Sequence, residues 1–186
     1  VEAIEAISAS SSRLVRTLDT FLDIARLGSA SLHVEQAPFD LVETIEEELT
    51  AVRMRYPEAI VSTSCPPEPI EVCSDELRVR QVLVNLLDNA AKYGGEPAII
   101  DVVAERNDHG ASIRVSDNGP GVAPEDQAHL FERFYRGSRQ PKKGLGVGLF
   151  LSRQIVQQLG GTLTFRNLPG GGAEFTLLLP IVKKRT

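Results

Sequence analysis

The chain predicts an α+β fold: a two-layer α/β sandwich whose mixed, mostly antiparallel sheet is covered on one face by helices, preceded by a bundle or coiled-coil helix. Three observations carry this reading. Apolar positions near the start recur at alternating spacings of three and four. From Pro38 onward, helical and strand patterns follow in the order αββαββααββ. The later strands pair through short turns, which makes neighbours antiparallel.

In chain order, Ile4, Ile7, Ser11, Leu14, Leu18, Phe21 and Ala25 form one seam, with Arg13, Arg16, Asp19 and Asp23 elsewhere on the helix. Such a seam needs a partner helix, in a bundle or a dimer. Gly28 caps it before a polar connector. Asp40 is placed to cap a helix that runs to about Tyr56, where Pro57 stops it. Short strands follow near Ile60 to Thr63 and Ile70 to Cys73. A second helix, about Asp75 to Lys92, carries Val79, Val82, Leu83, Leu86, Leu87 and Ala90 on one face and ends at Gly94-Gly95.

Strands Ala98 to Arg106 and Ala111 to Ser116 join through Asn107-Asp-His-Gly110. Helical segments are expected at Pro124 to Phe131 and Gly146 to Leu159. A last hairpin pairs Thr162 to Asn167 with Ala173 to Leu179 through Pro169-Gly-Gly-Gly172. The domain division is therefore 1–35, a helix with its connector, and 36–186, the α+β domain. A length of 186 residues suits one domain with an appendage.

A net charge of -5 argues against nucleic-acid or anionic-membrane binding, which needs clustered Lys and Arg. Cys65 and Cys73 have no metal-ligand spacing and read as free thiols in a reducing compartment. No apolar run approaches the roughly 20 residues that span a bilayer, and Val1 opens neither a signal peptide nor a natural start. The chain is expected to be a cytoplasmic fragment without membrane contact.

Four segments suggest a nucleotide site. On the helix around residue 85, Arg78, Gln81, Asn85, Asn89 and Lys92 lie three or four apart, a polar stripe beside the apolar one. The amide oxygen of Asn89 is a hard ligand suited to Mg²⁺, and Lys92 adds positive charge one turn on. Asp117 ends a strand, with Gly119 and Gly121 turning the backbone after it. A carboxylate there can accept from the exocyclic amine of adenine, although alone it also reads as the cap of an Asn-Gly turn.

Gly144, Gly146 and Gly148, with Leu145, Val147 and Leu149 between and after them, open a helix whose first amides face an anion. This is neither a P-loop nor a dinucleotide fingerprint. The flanking Arg136, Arg139, Lys142 and Lys143 favour phosphate, and residues 137–144 read as a mobile lid. Phe131 and Phe134 are candidate anchors for its base, though aromatics three apart also read as plain core.

At this point the chain resembles the ATP-binding catalytic domain of bacterial sensor histidine kinases, a branch of the fold shared with gyrase B, Hsp90 and MutL. Asn85-x-x-x-Asn89-x-x-Lys92-Tyr93 resembles the N box, Asp117-x-Gly119-x-Gly121 the G1 box, Phe131 to Phe134 the F box and Gly144-x-Gly146-x-Gly148 the G2 box. The resemblance implies that Asn89 binds Mg²⁺, that Asn85 and Lys92 contact phosphates, that Tyr93 lies against the base and that Asp117 reads adenine. It places Arg133 or Arg136 at the γ-phosphate and Lys143 to Leu149 around the phosphates.

Residues 1–27 resemble the second helix of the dimerisation and phosphotransfer hairpin, which implies a homodimer and a response regulator receiver domain as partner. The helix bearing the phosphoacceptor histidine has no counterpart, and His33, His109 and His129 lack its surroundings. Ala173 departs from the family's usual small hydroxyl residue near the adenine. The leading expectation is transfer of the ATP γ-phosphoryl to a histidine outside this chain. The alternatives are a gyrase or Hsp90-like ATPase, disfavoured because Asn85 stands where that branch has a proton-accepting Glu, and a binding module of anti-sigma or degenerate-kinase type.

Overall fold

The protein is described by a computed structural model covering residues 34–107, 110–137 and 145–180. The predicted bundle helix, His33, His109, the basic residues Arg139, Lys142 and Lys143, and Gly144 lie outside the described residues, as does most of the 137–144 segment. Val34 to Thr186 belong to one compact unit.

The elements are β1 (Ala37–Asp40), α1 (Leu41–Arg55), β2 (Ile60–Ser64), β3 (Glu71–Ser74), α2 (Glu76–Tyr93), β4 (Ile99–Asn107), β5 (Gly110–Asp117), α3 (Pro124–Gln127), α4 (Gly148–Gln158), β6 (Thr162–Asn167) and β7 (Ala173–Leu179). The main sheet has the order β2-β4-β5-β7-β6. Its β2–β4 pair is parallel and the other pairs are antiparallel, which is the mixed sheet expected.

Local chemistry starts the helices where predicted. Asp40 accepts from the Val42 amide at 3.0 Å and from the Ile70 amide at 3.1 Å, so one carboxylate caps α1 and ties its start to the approach to β3. Asp75 caps α2 by accepting from the Arg78 amide at 3.0 Å. Leu41, Ile45, Leu49 and Val52 of α1 and Val79, Leu83, Leu86 and Leu87 of α2 are buried at helical spacing. They meet the inner sheet face, where Ile100, Val102, Ile113, Val115, Leu177 and Leu179 are buried at alternate positions. The opposite face is polar: Arg114 makes two 2.9 Å bonds to Glu105, and Arg166 donates to Glu174 at 2.6 Å.

The structure departs from the expectations in three places. A short strand, β1, was not anticipated, and β3 pairs with it in a separate two-stranded sheet. The 124–131 helix stops at Gln127 and continues as turns closed by bonds such as His129 N to Asp126 O. The reason is tertiary: Asp126 is buried and accepts from the Tyr135 hydroxyl at 2.6 Å, folding the segment back on itself. The helix expected from Gly146 begins at Gly148.

Candidate functional site

Helix α2 carries one of the four segments and touches two of the others. At its C-terminal end, the Tyr93 carbonyl lies against Gly119, so close that any Cβ on that glycine would collide with it. Eight residues earlier, about 12 Å along the axis at 1.5 Å per residue, the Asn85 amide lies against Gly148, the first residue of α4. The loop after β5 and the start of α4 therefore sit at opposite ends of one polar helix stripe.

At the first end, Asp117 Oδ1 accepts from the Gly119 amide at 2.8 Å and the Ala173 amide at 3.3 Å. Its other oxygen makes no hydrogen bond among the described residues. Burial pushes the Asp117 carboxyl above the ordinary aspartate range, and the two backbone donors partly oppose that rise. The carboxylate is thus fixed in orientation with one acceptor unspent.

Two residues outside the predicted set build this wall. Asn118 accepts from the amides of Gly95 at 2.9 Å and Ile99 at 2.8 Å and donates to the Pro97 carbonyl at 3.1 Å, pinning the segment after α2 to the segment after β5. Asn167, at the end of β6, accepts from the Val122 amide and donates to the Val122 carbonyl, both at 2.8 Å. Gly121 passes under Asn167 at φ 70°, where a Cβ would come within 2.7 Å of the Asn167 Oδ1. Both asparagines sit in Asn-Gly or strand-end contexts that local pattern reads as turn chemistry, so their long-range partners had no signal in sequence.

At the other end, Asn85 Nδ2 donates to the buried Ser152 Oγ at 2.9 Å. Asn89, one turn on, is half-buried and its side chain makes no hydrogen bond to a described residue. A hard oxygen held open in this way fits a Mg²⁺ that takes its remaining ligands from phosphate and water. Lys92 lies 3.5 Å from Asp88, which also accepts from Arg55 and, at 3.3 Å, from the Tyr56 hydroxyl. Tyr93 is partly exposed.

The segment after α3 reaches the same end. Phe131 packs edge-on against Phe175, centroids 6.5 Å apart, with the Arg153 guanidinium over its ring at 5.0 Å from the centroid. Phe134 is not core: it is 56% exposed, takes φ 65° and lies under the Arg133 guanidinium at 4.7 Å. Gly146, at φ 67°, threads beside it, with space for a Cβ only 2.6 Å from the Tyr135 carbonyl. The bond to Asp126 pushes the Tyr135 hydroxyl up to about 12.

Val147 is buried at the N-cap of α4 and supplies no side-chain cap, so the first amides of that helix are left for another acceptor. Leu145 is exposed and Leu149 half-buried. Arg136 is exposed at the edge of the described segment. Lys143 and Gly144, the remaining predicted phosphate contacts, lie outside the described residues.

A family model described as histidine kinase-, DNA gyrase B-, and HSP90-like ATPase matches residues 74–183. The chain belongs to this family. Within the histidine kinase-, DNA gyrase B-, and HSP90-like ATPases it is similar to sensor kinases. It is 34% identical over 168 residues to the sensor protein KdpD of Escherichia coli strain K12, covering 89% of this chain and 18% of KdpD. The mycobacterial sensor histidine kinase MprB superposes with a TM-score of 0.72 at 29% identity, over 78% of this chain and 98% of that structure. Full-length ShkA in complex with AMPPNP superposes with a TM-score of 0.82 at 28% identity, over 100% of this chain and 39% of that one.

The chain spans about a fifth of the length of the first curated relatives it matches. The resemblance read from the four motifs agrees with the family, and the described domain is the ATP-binding catalytic domain of the sensor histidine kinase type.

Proposed function

We propose that residues 36–186 bind Mg-ATP and transfer its γ-phosphoryl group to a histidine outside this chain, within a two-component sensor that dimerises through residues 1–35 and passes the phosphoryl to a response regulator receiver domain. The single observation that carries this reading is the meeting of four distant segments along α2: Tyr93 with Gly119 at one end, Asn85 with Gly148 at the other, and the Phe134–Tyr135 backbone against Gly146.

In this reading the free oxygen of Asp117 accepts from the adenine amine, with Gly119, Gly121 and Tyr93 around the base. Asn89 contributes its amide oxygen to Mg²⁺, which neutralises phosphate charge when bound. Lys92, Lys143, Arg133 and Arg136 and the open amides from Gly146 to Leu149 hold the triphosphate. Phe131, packed on Phe175, and the more exposed Phe134 are the candidate anchors before the basic segment. Catalysis then rests on positioning and charge neutralisation by the chain's own groups. ATP in the nucleotide-bound neighbour's place is supported by ShkA having been solved with AMPPNP.

The net charge of -5 disfavours nucleic acid as a partner. Among the described residues no helix is long and apolar enough to cross a membrane. A cytoplasmic position for this portion, without membrane contact, is part of the proposal. The acceptor is proposed outside because His33, His109 and His129 lack the sequence surroundings of a phosphoacceptor; of these, the described His129 pairs its Nδ1 with Glu132 at 2.8 Å.

Calorimetric titration with ATP, with and without Mg²⁺, tests the pocket. Asn89→Ala is expected to lose the metal-dependent part of the affinity, and equal weakening in both titrations would remove Asn89 from the metal. Incubation with γ-labelled ATP is expected to leave no acid-labile label on the chain, and label on the chain would refute the external acceptor. Hydrolysis is expected to be slow, since Asn85 cannot take a proton from water.

A further inference from the structure

The Asn85 amide is engaged twice, both times with α4. Its Nδ2 donates to Ser152 Oγ at 2.9 Å, and its Oδ1 lies over the Cα of Gly148, where no side chain fits. Ser152 is 2% exposed and one turn into α4 from Gly148. Both contacts therefore fall near the start of α4, between Gly148 and Ser152, and the N-terminus of α4 has no side-chain cap.

We propose that Asn85 and Ser152 are positioning residues: a clasp between α2 and α4 that sets the open amides of the α4 N-terminus opposite Asn89. The inference rests on the Mg-ATP reading and adds to it that Asn85 acts on the phosphates through α4.

The physical reason is that a helix terminus binds an anion well only when its amides are aimed without reorganisation. Helix α4 also buries Leu151, Ile155 and Val156, and apolar burial fixes its depth without itself specifying a direction. The Asn85–Ser152 hydrogen bond adds a directional tie near the start of the helix. It also accounts for glycine at 148: the backbone there is ordinary helix, so the requirement is space for the Asn85 amide.

The test is a double-mutant cycle on the whole chain, with Mg-ATP followed by calorimetry and adenosine by NMR titration. Asn85→Ala and Ser152→Ala are each expected to weaken Mg-ATP by about 5- to 10-fold, the worth of one directional hydrogen bond. The double variant is expected to be no weaker than the worse single one. Adenosine affinity, which does not sense the α4 terminus, is expected to change less than about twofold. Gly148→Ala should weaken Mg-ATP in the wild-type background and have no further effect beside Asn85→Ala.

Thermal unfolding of each variant shows whether it is folded at the titration temperature. Additive losses, an unaltered Ser152→Ala, or equal losses for adenosine and Mg-ATP would each overturn the clasp. A wild-type chain that binds no Mg-ATP would instead overturn the function on which it rests.

Discussion

The two ends of α2, which flank the proposed nucleotide groove, are held in different ways. Around Asp117 the protein has satisfied itself: Asn118 makes three hydrogen bonds to the 95–99 segment, Asn167 makes two to Val122, and Asp117 takes two backbone donors. Around Asn89 the pattern differs: Asn85 and Lys92 are paired, but the Asn89 amide makes no hydrogen bond among the described residues and the α4 terminus has no side-chain cap. A flat base is recognised by a rigid wall with one acceptor left over. A metal-bound triphosphate supplies its own charge and needs donors that are not already used.

The sharpest way to break the contrast is at Gly119. A methyl there meets the Tyr93 carbonyl and lies 2.9 Å from Asp117 Oδ1, and backbone cannot rotate away as a side chain can. Gly119→Ala is expected to cost about 2 to 3 kcal/mol of folding stability by urea denaturation. The same change at the open end, Gly148→Ala, meets only a side-chain amide and should cost less. Equal losses at both glycines would mean the two ends are equally rigid.

Next in size is Asp117→Asn, expected to weaken adenine nucleotides by about 1 to 3 kcal/mol while leaving guanine nucleotides little changed. Calorimetry with both bases checks it, and unchanged adenine affinity would remove Asp117 from its role. Smaller again is Asn118→Ala, which leaves two amides and a carbonyl near solvent. It should cost about 1 to 2 kcal/mol of stability and a few-fold in affinity.

The smallest effect is that of pH. Because burial raises the Asp117 carboxyl above its unfolded value, the folded chain takes up a proton first as pH falls, so ionising Asp117 costs folding stability as pH rises through that window. Ligand affinity carries the opposite sign, since the adenine amine needs an ionised acceptor. ATP affinity is expected to fall several-fold on acidification, from above the ordinary aspartate range, and Asp117→Asn should flatten that dependence. A fall that persists in the variant would assign it to other groups.

Much of this was legible in the residues alone. The capping aspartate at 40, the apolar stripes and the turn glycines act over a few positions, so α1, α2, β6 and β7 came out within a residue or two. The short strand β1 and the abrupt end of α3 did not. Strand β1 is four residues stabilised only by its pairing with β3, and α3 is ended by a hydrogen bond from Tyr135, nine residues away. Phe134, read as an anchor or as core, is exposed because a left-handed backbone turns it outward, which no aromatic spacing announces.

The site divides the same way. Asn85, Asn89, Asp117 and the glycines stood out as candidates because residue type and spacing are properties of the chain, as is the order of amide helix, acid and glycine turn. Which of them is open and which is engaged is not. Asn85 and Asn89 are the same residue one turn apart on the same helix, yet Ser152 takes one and leaves the other. That choice depends on where α4 crosses α2, a contact 67 residues distant in the chain, and only the packed structure decides it.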